Sequence, residues 1–153
     1  MFSGTYFHTL DSKNRLIIPS KIREKIDISR DGQGFVITCW FDSCLSMTTP
    51  MNWEAMVKEW EKIPVTDQNG RDVVRLLLAR THEVLCDSHG RILIPEVLRE
   101  AARIQKEVAL LGVGTRVEIW DKSAWLNREL SLSSNMEKLA QGLNVRLFGG
   151  SNI

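Results

Sequence analysis

The stretch "DSKNRLIIPSKIRE" at residues 11–24 returns as "DSHGRILIPEVLRE" at residues 87–100. An internal repeat dictates architecture, so it is read before anything else. Asp11 meets Asp87, Arg15 meets Arg91, Ile18-Pro19 meets Ile94-Pro95, and Arg23-Glu24 meets Arg99-Glu100. With four residues removed from the first copy, Leu45 and Met47 align with Val117 and Ile119, and Trp53 with Trp125. The unit therefore runs from about residue 5 to 53 and again from 81 to 125.

Each copy has a readable shape. "YFHTL" and "HEVLC" read as short strands, and "DSKNR" and "DSHGR" as turns. Asn14 and Gly90 occupy the same turn position, and both tolerate positive φ. "LIIP" and "ILIP" are continuously apolar, which predicts a second strand buried on both faces. Pro19 and Pro95 then open a short helix. A hairpin follows: "GFVITCW" with "LSMTT" in the first copy, "EVALLG" with "RVEIW" around "GVGT" in the second. Between the copies, Thr49 and Pro50 start one helix. Val73, Val74, Leu77 and Leu78 form the apolar face of another. "DKSAWLNREL" and "NMEKLAQGL" predict two more helices, and "GGSNI" a loose tail.

The two Asp-x-x-x-Arg loops carry the sharpest chemical signal. Arginine offers a planar fork of donors that suits a phosphate or a guanine edge, and an aspartate four residues earlier can hold that fork in one orientation. The spacing equally fits an aspartate that starts the turn and pairs with arginine for structure alone. Duplication favours function, because two matching loops can face one surface. Lys13, Arg15, Lys21, Arg23 and Lys25 cluster around the first loop; His89, Arg91, Arg99 and Arg103 around the second, diluted by Glu96 and Glu100. The net charge of +1 gives no general attraction to nucleic acid, so binding must rest on this local charge.

Other signals are weaker. His82, Cys86 and His89 lack the paired spacing of a zinc site. "GVGTR" has no following Lys-Ser/Thr and is a hairpin turn, not a phosphate loop. Three cysteines fit reduced thiols better than a disulfide framework. No nucleophile–base set or apolar membrane span stands out.

"LDSKNRLIIPSKIRE" together with "HEVLCDSHGRILIPEVLREAARIQKEVALLGVGTRVEIWDKSAW" closely resembles the MraZ family of bacterial transcriptional regulators, over residues 1 to about 130. That family has Arg where this chain has Ser3, and Gly where it has Asn14. The resemblance implies an α+β fold of two tandem AbrB-like swapped-hairpin β units. These would form a pseudo-dimeric barrel with flanking helices. The expected domains are SpoVT-AbrB domain 1 at residues 5–52 and domain 2 at 81–124. A helical connector at 53–80 joins them, and a C-terminal helical segment and tail at 125–153 follows. The implied function is sequence-specific binding of tandem G-rich direct repeats in double-stranded DNA, upstream of the division and cell-wall gene cluster, by a ring-shaped homo-oligomer in the cytoplasm and nucleoid. The expected DNA-binding residues are Asp11, Lys13, Arg15, Lys21, Arg23, Asp87, Arg91 and Arg99, the aspartates orienting. No catalysis, cofactor, metal, membrane or small-molecule substrate is expected. The alternative is an antitoxin-like protein-interaction module of the same fold.

Overall fold

Strand β1 (Thr5–Thr9) finds its partner in the other copy of the repeat. In the computed structural model, which describes residues 1–141 and Leu143, it runs antiparallel to β7 (Glu107–Val113), with Phe7 opposite Ala109. Its counterpart β5 (His82–Val84) runs antiparallel to β3 (Phe35–Cys39) of the first copy, with Glu83 opposite Val36. Strands β4 (Leu45–Thr48) and β8 (Arg116–Asp121) join the halves, Ser46 facing Glu118. The hairpins β3–β4 and β7–β8 complete an antiparallel six-stranded sheet in the order β1-β7-β8-β4-β3-β5.

This sheet is open. Strands β1 and β5 are its two edges, so the described strands do not form the closed barrel expected from the sequence. Two further strands, β2 (Arg15–Ile17) and β6 (Arg91–Leu93), pair with each other in a separate ribbon and leave those edges unbridged. Leu16 lies opposite Ile92, its own repeat equivalent. Ser46 and Glu118 are equivalent in the same sense. A pseudo-two-fold axis therefore relates the copies at both pairings.

The core is built jointly. Leu16, Ile18 and Ile22 from the first copy and Ile92, Ile94 and Leu98 from the second are all at most 2% exposed, and they belong to one apolar cluster with Ile37, Met47, Leu110 and Ile119. The ribbon is not buried on both faces as the apolar runs predict. Ile17 is 48% and Leu93 57% exposed. A two-stranded ribbon presents one face to the core, and no described element covers the other.

The helices follow local chemistry. Pro19 and Pro95 are the capping residues of α1 (Ser20–Arg23) and α5 (Glu96–Ala101), one position earlier than the sequence suggests. Asp27 caps α2 (Ile28–Asp31) by accepting from the Ser29 N–H. Thr49 caps α3 (Pro50–Trp60) through the Asn52 N–H at 3.3 Å, and Asp67 caps α4 (Gln68–Ala79) through the Gly70 N–H at 2.9 Å. Of the expected apolar face of α4, only Leu77 is buried; Val73 and Leu78 face solvent with Leu76. The two helices expected at the C-terminal end are one, α6 (Lys122–Gln141). The expected loose tail at residues 149–153 lies outside the described residues.

The extra residues of the first copy can be placed. Arg15 and Arg91 stand 76 positions apart, Val36 and Ala109 73, Met47 and Ile119 72. Three of the four therefore precede β3, where α2 sits. The fourth is in the β3–β4 turn, where Asp42 and Ser43 take φ of 63° and 58°. By compactness the chain divides at Met1–Lys122 and Ser123–Ile153, so both copies of the repeat lie almost wholly within one unit. In the second, the described part of α6 buries no side chain. No described helix is long and apolar enough to cross a membrane.

The ribbon's two faces should respond differently to truncation. Leu16→Ala opens space in the shared core and should cost about 2–5 kcal/mol in urea unfolding, whereas Ile17→Ala on the open face should cost less than about 1 kcal/mol. Equal costs would show that the open face is packed.

Candidate nucleic-acid interface

Each Asp-x-x-x-Arg segment folds into the same closed turn. The Asp11 N–H donates to the Arg15 carbonyl at 3.0 Å, and the Asn14 N–H to the Asp11 carbonyl at 2.9 Å. In the second loop, the Asp87 N–H donates to the Arg91 carbonyl at 2.8 Å and the Gly90 N–H to the Asp87 carbonyl at 3.0 Å. Asn14 (φ 60°) and Gly90 (φ 76°) supply the left-handed residue the turn requires.

The aspartate organises both backbone and arginine. Asp11 Oδ1 accepts from the N–H groups of Lys13 and Arg15, both at 2.9 Å, while Oδ2 accepts from Arg15 Nε at 2.7 Å. Asp87 repeats this with His89, Arg91 and Arg91 Nε at 2.9, 3.0 and 2.7 Å. The Arg91 backbone N–H is the main cause that holds the Asp87 carboxyl at about 2, helped by the Arg91 side chain and the His89 N–H. Asp11 is lowered by the equivalent donors, the Arg15 backbone N–H first. The carboxylates thus stay charged throughout the range in which a protein meets nucleic acid.

The clamp selects one edge of the guanidinium. With Nε committed to the aspartate, the outer nitrogens remain available as a donor pair. The Arg15 outer nitrogens have no protein partner among the described residues. Those of Arg91 are partly engaged: Nη2 is 3.5 Å from His89 Nδ1, and Nη1 is 3.9 Å from Asp11 Oδ2. That last distance also shows how close the loops lie. Backbone bonds knit them further, from the Ile18 N–H to the Gly90 carbonyl at 2.9 Å and from the Ile94 N–H to the Asn14 carbonyl at 3.4 Å.

The remaining cations divide. Lys13 is exposed at the tip of the first loop and Lys21 on α1. Arg23 and Arg99 brace the scaffold: their Nε atoms donate to the Ile18 and Ile94 carbonyls at 2.9 and 3.1 Å. The Arg23 guanidinium lies against Gly90, where an added Cβ would come within 2.8 Å of Cζ. Gly90 therefore serves both a positive φ and the close approach of an arginine from the other copy. Sequence reasoning missed Ile17 and Leu93, which share the open ribbon face with Arg15 and Arg91. The signal was present, since each is the odd residue between two core positions, but the unbroken apolar run concealed it.

Two clamped arginines on one face of the ribbon, related by a pseudo-two-fold axis, present donor pairs of the geometry that suits planar acceptor edges or phosphates. The model of the family described as "MraZ protein, putative antitoxin-like" matches residues 1–76 and again 77–145. The chain is 40% identical over 144 residues to the transcriptional regulator MraZ of Clostridium acetobutylicum, covering 94% of this chain and 97% of that protein. Against the protein of the same name from Acetivibrio thermocellus it is 42% identical, covering 92% and 97%. Against that from Moorella thermoacetica it is 41% identical, covering 92% and 95%. The chain belongs to the MraZ family.

The depressed carboxyl of Asp87 has a measurable consequence. A group with a folded value below its ordinary one stabilises the protein above the ordinary value, near 3.8, and that contribution is lost as pH falls toward about 2. A carboxyl-carbon NMR titration should place the Asp87 midpoint near 2. An Asp87→Asn variant should lack the corresponding part of the acid-range loss of stability. A midpoint at the ordinary value would mean that the clamp does not persist in solution.

Proposed function

We propose that this protein is a transcriptional regulator that binds double-stranded DNA sequence-specifically through its two Asp-x-x-x-Arg loops. The observation that carries this is the clamp: each aspartate holds Nε and leaves the outer nitrogens of Arg15 and Arg91 as pre-oriented donors. Guanine O6 and N7 offer the matching acceptor pair in the major groove. Lys13 and Lys21 supply phosphate contacts, Asp11 and Asp87 orient, and Arg23 and Arg99 support the loops through the Ile18 and Ile94 carbonyls and add positive charge beside them. The relatives' names point the same way.

The finer reading concerns assembly and target. The exchange of β1 and β5 between copies is what two fused swapped-hairpin units would produce, with domains at residues 5–52 and 81–124, the connector at 53–80 and the segment 125–153 outside them. Val73, Leu76 and Leu78 on α4 and Met51 on α3 are exposed apolar groups that a neighbouring copy would cover in a ring. Such a ring would place successive loop pairs on tandem G-rich direct repeats upstream of division and cell-wall genes, in the cytoplasm at the nucleoid.

Four outcomes test this reading. On DNA from upstream of its own gene, binding should fall steeply with salt, because neutralised phosphates release counterions. Arg15→Ala should weaken binding by about tenfold to a hundredfold without changing oligomer mass, and more than Arg91→Ala, whose outer nitrogens are partly engaged. Wild-type binding by Arg15→Ala would make the loop purely structural, and stable capture of a protein partner without DNA binding would favour the antitoxin-like module. Native mass spectrometry should show a multiple of 17.5 kDa larger than a dimer. Affinity should rise steeply from one repeat to two, and collapse when spacers change by about 5 base pairs, half a helical turn. A stable monomer, or equal affinity for one repeat and several, would remove the ring from the account.

A further inference from the structure

The open face of the β2–β6 ribbon is not uniformly basic. Arg15 lies opposite Leu93 and Ile17 opposite Arg91, so four side chains form a checkerboard with arginines on one diagonal and apolar groups on the other. Leu16 and Ile92 between them point into the core and are at most 1% exposed, whereas Ile17 and Leu93 are about half exposed. The pseudo-two-fold axis maps Arg15 onto Arg91 and Ile17 onto Leu93. Two large aliphatic side chains thus stand in solvent between two clamped cations.

We infer that Ile17 and Leu93 read thymine, by packing on its C5-methyl group while the neighbouring arginines read guanine. This rests on the DNA-binding reading above and extends it to residues outside the motif. The major groove is about 12 Å wide and admits a two-stranded ribbon, and the thymine methyl is the apolar group it displays. Along one strand, Arg15 and Ile17 are two residues apart, about 6.6 Å. That spans roughly two base-pair steps of about 3.4 Å each. An arginine on guanine therefore sets the aliphatic group about two steps along. A protein seated here would instead bury both arginine–aspartate pairs, which costs desolvation without offering them the acceptors DNA provides.

The test removes the methyl group and nothing else from the bases. DNA from upstream of the gene is copied once with thymidine triphosphate and once with deoxyuridine triphosphate, and binding is titrated at fixed salt. Burying one methyl corresponds to a factor of about four, so two contacts per chain predict about a fifteenfold loss for the wild type on uracil DNA. An Ile17→Ala, Leu93→Ala double variant should bind thymine DNA about fifteenfold more weakly and be indifferent to uracil. Both positions are on the open face, so this variant should unfold at nearly the wild-type urea concentration.

Equal wild-type affinity for the two DNAs would overturn this inference while leaving DNA binding intact. An equal loss on uracil DNA for wild type and variant would also overturn it, assigning the effect to DNA shape. Loss of oligomer mass in the variant, with its sensitivity to uracil retained, would make Ile17 and Leu93 subunit contacts instead. No wild-type binding to either DNA would remove the underlying DNA-binding reading as well.

Discussion

The structure depends on one constraint: neither copy of the repeat can complete its own sheet. Strand β1 hydrogen-bonds to β7 and β5 to β3, so the first strand of each copy is an orphan without the other. The ribbon repeats this logic with Leu16 opposite Ile92. Fusing the copies in one chain makes this pairing intramolecular, so its stability does not depend on protein concentration. It also fixes the two loops against each other, because Ile18 and Ile94 each donate into the opposite loop.

From that scaffold follows the electrostatic arrangement. A partly exposed ion pair is screened by solvent, and the side chains of both arginine–aspartate pairs keep 24–35% of their surface exposed. Their consequence is geometric. A carboxylate that takes two backbone N–H groups on one oxygen and Nε on the other leaves the arginine few ways to point. Pre-organisation of this kind lowers the ordering cost when a ligand arrives. The loops are not equivalent, however. Arg91 shares its outer nitrogens with His89 and approaches Asp11, while Arg15 does not.

Departures from the pseudo-symmetry are local. Three extra residues make room for α2 and one lengthens the β3–β4 turn, and neither disturbs the strand pairing about the axis. In α2, Asp31 is buried, paired with Arg30 at 2.8 Å and bonded to the Asp27 N–H. These donors, the Arg30 side chain first, hold its carboxyl at about 2. The insertion is thus stabilised by its own polar contacts, apart from the shared core.

The sequence by itself determined the repeat, the paired turns with Asn14 and Gly90, the Thr49 cap with Pro50 at the first helical position, and the aspartate–arginine spacing. All are local: each depends on residues within a turn or two, where sequence distance and spatial distance agree. Tertiary structure alone decided which copy each strand pairs with, that the sheet stays open, and that Ile17 and Leu93 face solvent. A run such as "LIIP" is compatible with burial on one face or two. The choice depends on whether a second layer arrives, and that layer comes from residues far away in sequence. The bracing role of Arg23 was hidden for the same reason, since its neighbour Gly90 belongs to the other copy.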